Sequence, residues 1–227
     1  MTIRSGLRRE QIAEIIDSLP VGFYGRDFLA VTGPGASVPA RDFLSGMPPG
    51  ASLEGYLWPG TYTLTNEMDA TAFREMLLDA FGAATGDLWG SAALQGLSPY
   101  ETVTLASIIV RESRDPASQP LISSVFHNRL RVGRGLGASV TTQYALGRPG
   151  AWWPSPAGYV STLASPYNTN IYRGLPPTPI SSPDRSALQA AANPAESAYQ
   201  FFSANCRGPG IYFAETYEQH LANVRCE

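Results

Sequence analysis

Apolar residues recur at helical spacing over residues 98–113. Leu105, Ile108 and Ile109 fall on one face, and Glu112 continues that face. The stretch opens with Ser98, Pro99 and Glu101, the residue types of a capping box with proline at the first helical position. A carboxylate projecting from an apolar stripe must find a partner or hold a proton more tightly. A raised carboxyl pKa is what a general acid working near neutral pH needs. The same position also suits a glutamate that reaches past the core to solvent, or to Arg111 or Arg114.

The remaining pattern predicts helices over residues 7–19 and 70–85, the latter with Phe73, Leu77 and Phe81 on one side, and a short helix or turn over 27–31. Residues 32–50 are loop-rich, with at most a short helix near 40–44. Residues 53–62 are aromatic and interrupted by Pro59 and Gly60, so they read as extended chain with a turn. Residues 86–96 form a connection with room for one helical turn. Asp115 and Pro116 end the central helix, and Ser118 stands ready to cap the next, which runs through Leu130 to stop at Gly133 and Gly135. Two helices with so short a link predict a helical hairpin. Residues 134–147 are small and polar and read as a loop. Residues 148–186 hold many prolines and aromatics, a stretch long enough to form a wall or lid. A helix starting at Asp184 or Ser186 runs to Ala192, strands at 199–204 and 211–214 make a hairpin, and a helix over 216–224 closes the chain. The fold class expected is α+β: mainly helical, with a central helical hairpin, long Pro/aromatic loops and a C-terminal β-hairpin. An N-terminal helical and loop segment, residues 1–50, is expected to pack on a larger part spanning 51–227.

Composition narrows the partners. A chain of 227 residues that is 44% hydrophobic and 15% charged is globular. A net charge of -3 without any basic run argues against nucleic acid as partner. No run is long and apolar enough to cross a bilayer. The start at Met1-Thr2-Ile3, without a leader, fits a cytosolic protein or a fragment of something longer. Cys206 and Cys226 allow either a disulfide closing a terminal loop or two thiols. The only histidines, His127 and His220, show no metal-ligand spacing and lie near no Gly-x-Ser-x-Gly elbow, so neither a metal site nor Ser-His-Asp chemistry is expected. No phosphate-binding glycine loop is present. Acid/base chemistry centred on Glu112 has more support, because Asn128, Thr141, Gln143 and Tyr144 follow it and aromatics abound. Ordinary glycosidases need two carboxylates. Asp115 lies past the helix end and Glu54 is far off in sequence, so no second one is evident.

Several motifs, in order, resemble the endolytic murein transglycosylase family (MltG/YceG-like). Glu54-Gly55-Tyr56 with Pro59-Gly60-Thr61-Tyr62 resembles its signature, and Leu105 to Glu112 resembles its catalytic helix. Val125-Phe126-His127-Asn128-Arg129-Leu130, Thr141-Thr142-Gln143-Tyr144, Ser165-Pro166-Tyr167-Asn168, Gly174-Leu175-Pro176-Pro177 and Asn193-Pro194-Ala195 follow, so the resemblance spans nearly the whole chain. It implies cleavage of peptidoglycan within the glycan strand, between N-acetylmuramic acid and N-acetylglucosamine. The products carry 1,6-anhydro-N-acetylmuramic acid ends and no water is added, which explains a single carboxylate: Glu112 acts first as acid, then as base. Asn128, Thr141, Gln143, Tyr144, Tyr167, Asn168 and Glu54 are the implied substrate-binding candidates, with Glu54 also open to a structural role in its loop. The resemblance implies no cofactor, glycan strands as partner, cell-wall synthases as further partners, and an extracytoplasmic location through an N-terminal membrane anchor not present in this sequence. That location favours a Cys206–Cys226 bond. Three places depart from the family pattern. Val110 stands where a first glutamate is common, Gly137-Ala138-Ser139 stand where Gln-Thr/Ser-Asp is usual, and Gly60 replaces a frequent Asp. The altered loop keeps a rival reading open, a non-catalytic peptidoglycan-binding or scaffolding module. A water-adding muramidase is a third.

Overall fold

The helix expected over residues 98–113 runs from Pro99 to Glu112 and is buried on every side, not on one stripe. Every residue from Thr102 to Val110 is buried, the arrangement of a helix at the centre of a core. Its hydroxyls are satisfied internally: Thr102 Oγ1 donates to the Ser98 carbonyl, Thr104 Oγ1 to that of Tyr100, and Ser107 Oγ to that of Thr104. The capping box forms as expected. Ser98 Oγ accepts from the Glu101 N–H at 3.2 Å, and the Glu101 carboxylate accepts from the Ser98 N–H at 2.8 Å.

The computed structural model describes residues 1–225. In chain order it contains β1 (Thr2–Ile3), α1 (Arg9–Asp17), α2 (Gly25–Thr32), a 3-10 turn over Asp42–Leu44, β2 (Gly60–Thr61), α3 (Ala70–Thr85), α4 (Trp89–Leu94), α5 (Pro99–Glu112), α6 (Gln119–Arg131), α7 (Ser139–Leu146), α8 (Arg185–Ala192), β3 (Phe201–Ala204), β4 (Ile211–Ala214) and α9 (Tyr217–Arg225). The fold is α+β and mostly helical. Around α5 pack α8, α6, α4 and α7. Two small antiparallel sheets flank this core. In one, β1 pairs with β2, setting Thr2 opposite Thr61. In the other, β3 pairs with β4, with Phe201 opposite Ala214 and Ala204 opposite Ile211. Residues of the first fifty, among them Ile12, Phe28 and Phe43, enter the same apolar core as Leu105 and Ile108 of α5. Phe43, Tyr56 and Phe81 meet there, with Phe81 ring centroids 4.9 Å from Phe43 and 5.2 Å from Tyr56.

Two local expectations need correcting. Residues 139–146 form α7 and not a loop. Val140, Thr141 and Thr142 are buried in it, and the threonine hydroxyls bond across to Thr169 and Asn168. β-Branched residues with no apolar stripe carry little helical signal, so here tertiary contacts override propensity. Ser118 does not cap α6 with its side chain. Its backbone is already helical (φ -89°, ψ -21°), which denies the hydroxyl the reach to the following N–H groups, and Oγ instead bonds to the Asp115 carbonyl and to Ser113 Oγ. The β1–β2 pairing carried no signal in the sequence, because two-residue strands show no periodicity.

Candidate active site

Glu112 is the last residue of α5. The macrodipole places partial negative charge at that end, which disfavours a carboxylate. Its side chain opens into a cavity of about 380 Å³ built from five parts of the chain. Arg129 of α6 stands beside it. Leu136 and Gly137 come from the α6–α7 connection, Ser139 from the start of α7, Ser203 and Ile211 from the C-terminal hairpin, and His220 from α9. Glu112 makes no hydrogen bond or ion pair among the described residues. Burial pushes its carboxyl up to about 7, against the opposing pull of Arg111 and Arg129.

Both arginines are held in place by other groups. Arg111 stacks its guanidinium over Trp153, 3.8 Å from the ring centroid, and donates to the Gly6 carbonyl. Arg129 donates from Nε to the Gln200 carbonyl at 2.6 Å and from Nη1 to the Leu136 carbonyl at 2.5 Å. Arg129 thereby ties α6 to the start of the hairpin and to the loop before α7. It also accounts for Gly137. The backbone there is left-handed (φ +63°), and a Cβ would lie 2.6 Å from Arg129 Nη1. The departure at residues 137–139 therefore leaves room for a guanidinium.

Two buried polar atoms of the cavity residues, Ser203 Oγ and His220 Nδ1, have no hydrogen-bond partner among the described residues. Unpartnered polar atoms beside a cavity are where a polar ligand can bond. His220 stacks on Phe201 with centroids 5.2 Å apart, and burial, followed by Arg129, lowers its pKa and favours the neutral imidazole. Sequence reasoning set His220 aside and did not consider Ser203. Only the packing of the hairpin on α6, with α9 against the hairpin, brings them to Glu112.

None of the substrate-binding candidates named from the sequence lines this cavity. Asn128 turns away to donate its amide to the carbonyls of Ser197 and Tyr199, and it borders a separate polar cleft with His127 and Arg131. Thr141 and Asn168 are fully buried and brace α7 against the 165–170 turn: Thr141 Oγ1 lies 3.0 Å from Thr169 Oγ1, and the Asn168 amide donates to the Val160 and Leu163 carbonyls. Gln143 is half-buried on α7. Tyr144, Tyr167 and Glu54 form a second cluster. The two rings lie 5.0 Å apart, the Tyr144 hydroxyl is 3.5 Å from Glu54 Oε2, and Arg8 sits 3.9 Å over the Tyr144 ring. Glu54 is fully buried and accepts from the Arg9 N–H at the start of α1 at 3.2 and 3.3 Å. Cys226, and with it the Cys206–Cys226 pairing, lies outside the described residues. Among the described residues, no group of three or more His, Cys, Asp or Glu could hold a metal, and no helix is long and apolar enough to cross a membrane.

The model of the YceG-like family matches residues 1–226. The chain belongs to the YceG-like family. It is 28% identical over 174 residues to an endolytic murein transglycosylase of Streptococcus pneumoniae, covering 76% of this chain and 32% of that protein. It is 32% identical over 173 residues to one of Bacillus subtilis, covering 74% and 46% respectively. The chain thus spans from about a third to just under half the length of these curated relatives. The crystal structure of a YceG-like protein of Listeria monocytogenes superposes with a TM-score of 0.79 at 29% identity, covering 97% of this chain and 74% of that one.

The second carboxyl of this YceG-like chain, Glu54, has a consequence for stability. Burial, aided by Glu10, raises it from 4.5 to about 7, although Arg9 and Arg8 pull the other way. The folded state therefore binds the proton more tightly than the unfolded one. The resulting stabilisation is complete below pH 4.5 and is lost as pH rises to about 7. Glu54→Gln removes this term. We expect its stability relative to the parent to improve by up to about 3 kcal/mol between pH 5 and pH 8. Urea midpoints of both proteins at the two pH values check this, and parallel pH dependences would contradict it.

Proposed function

We propose that this chain is the catalytic part of a peptidoglycan lytic transglycosylase that cuts glycan strands internally, with Glu112 as general acid and then base. The observation that carries the reading is a cavity with one carboxyl, held near neutral pKa and flanked by an arginine. A hydrolase of the ordinary kind needs a second carboxylate to activate water or attack the sugar. None lines this cavity among the described residues. Intramolecular attack needs only one. The Glu112 carboxyl gives its proton to the glycosidic oxygen as the bond from the muramic anomeric carbon to that oxygen breaks. The 6-hydroxyl of the same sugar bonds to the anomeric carbon and passes its proton to the Glu112 carboxylate. The acid is regenerated, and no water enters. Arg129 stabilises the carboxylate between the two transfers. Ser203 and His220 offer hydrogen bonds to sugar hydroxyls. Names of the relatives support the same substrate, and an extracytoplasmic setting follows from it.

The identity of the products tests the reaction. Mass spectrometry of the soluble fragments released from purified peptidoglycan is expected to show 1,6-anhydro-muramyl ends. Reducing ends would mean hydrolysis with another catalytic group. The pH profile tests the acid. The reaction begins from protonated Glu112, and that fraction shrinks as pH rises through about 7. Accordingly, kcat/KM should fall about tenfold per pH unit on the alkaline side. A profile flat from about pH 6 to 9 would remove Glu112 from the role of acid.

A further inference from the structure

A second recess of about 420 Å³ shares two lining residues, Arg129 and Gly137, with the Glu112 cavity. Arg134, Asn170, Phe201 and Tyr217 line the far side, and no acidic residue does among the described residues. Arg134 is exposed, lies 5.0 Å over the Phe201 ring and makes no ion pair among the described residues. Its backbone is anchored, since the Arg134 N–H donates to the Arg129 carbonyl at 2.8 Å just after the left-handed Gly133. A guanidinium propped on a ring and aimed at open space is already partly ordered for a planar anion. In a chain of net charge -3, a recess with cationic side chains and no carboxylate is a local exception to the overall charge.

We infer that this recess is a subsite for a carboxylate of the stem peptide carried by the muramic acid residue being cut, with Arg134 as the residue that binds it. This rests on the proposed function. The sugars of the strand are uncharged apart from what hangs on the muramic lactyl group. When that sugar sits over Glu112, its lactyl substituent is the anionic part of the substrate nearest an adjoining recess. Phe201 and Tyr217 offer apolar contact to the peptide's side chains, and the Arg134 guanidinium takes the carboxylate by charge-assisted hydrogen bonds. The subsite would make strands with free stem-peptide carboxylates better substrates than strands whose peptide carboxylates are amidated.

The test measures binding in the Glu112→Gln background, where strands are not consumed. Two soluble ligands are compared, uncrosslinked glycan strands with stem peptides and the same strands with the stem-peptide carboxylates converted to amides. The strands with free carboxylates should bind roughly three- to tenfold tighter, with the preference shrinking as ionic strength rises. Adding Arg134→Gln should bring the affinity ratio toward one, and Arg134→Lys should restore part of it. Equal binding of the two ligands, or a preference unchanged by Arg134→Gln, would overturn the subsite while leaving the glycan reading intact. Binding of neither ligand would overturn the glycan reading and the subsite with it.

Discussion

Glu112→Gln loses the release of anhydro-muramyl fragments from purified peptidoglycan. Removing a positioned proton transfer typically costs about 10²–10⁴-fold in rate. Here one side chain serves both transfers, so the upper end of that range is the expectation. The substitution keeps the shape of the side chain at the end of α5, and it breaks no hydrogen bond or ion pair, since Glu112 has none among the described residues. Folding is therefore expected to survive. Because burial already penalises the charged carboxyl, the variant should be no less stable than the parent at pH 8. The measurement is a time course of anhydro ends by mass spectrometry, with circular dichroism on both proteins as the control for folding. Cleavage by the variant at the parental rate would end the assignment of Glu112. Loss of cleavage together with loss of helical signal would show that the residue is needed for folding.

Gly55→Ala should destabilise the protein by about 2–5 kcal/mol, from left-handed backbone strain and overpacking together. Gly55 has φ +90°, and a Cβ there would stand 2.5 Å from Pro179 Cβ and 2.9 Å from Val103 Cγ1. No flexible side-chain end is available to yield, because one neighbour is a proline ring and the other a γ-methyl on the buried α5. The strand of chain carrying Glu54 passes between α5 and the 177–180 segment only because residue 55 has no side chain. A loss of this size is a large share of the roughly 5–15 kcal/mol that holds a domain together. Urea denaturation measures it, and a midpoint within error of the parent's would show that the close approach is not a constraint. The same substitution should disturb the Arg9–Glu54 contact at the start of α1, so the pH dependence of stability should weaken with it.

Much of the fold was legible wherever a local rule acts alone. The capping box at Ser98 and Glu101, the helix from Ala70 to Thr85, the Asp184 cap of α8 and the C-terminal hairpin all stand where residue type and spacing place them. Each rests on interactions within a few residues, and the sequence states those directly. The position of Glu112 on a buried face is of the same kind. A 3.6-residue period carries a carboxyl into the core whatever packs against it.

Tertiary structure decided the rest, because the deciding partners are far apart in the chain. α7 is helical because Thr169 and Asn168 take up its threonine hydroxyls. Glu54 is a buried cap for α1 and no part of the Glu112 cavity. Asn128 is occupied by Ser197 and Tyr199, while its neighbour Arg129 faces the acid. Adjacent helical residues point about 100° apart, so a motif read as a string cannot say which of its members turns inward. His220 and Ser203 reach the site only when the hairpin packs on α6 and α9 packs on the hairpin. The sequence by itself determined the helices marked by caps and apolar periodicity, and the place of Glu112 at the end of one of them. Only the folded chain determined the company that carboxyl keeps, because burial follows from local periodicity, while a site is assembled from side chains more than a hundred residues apart.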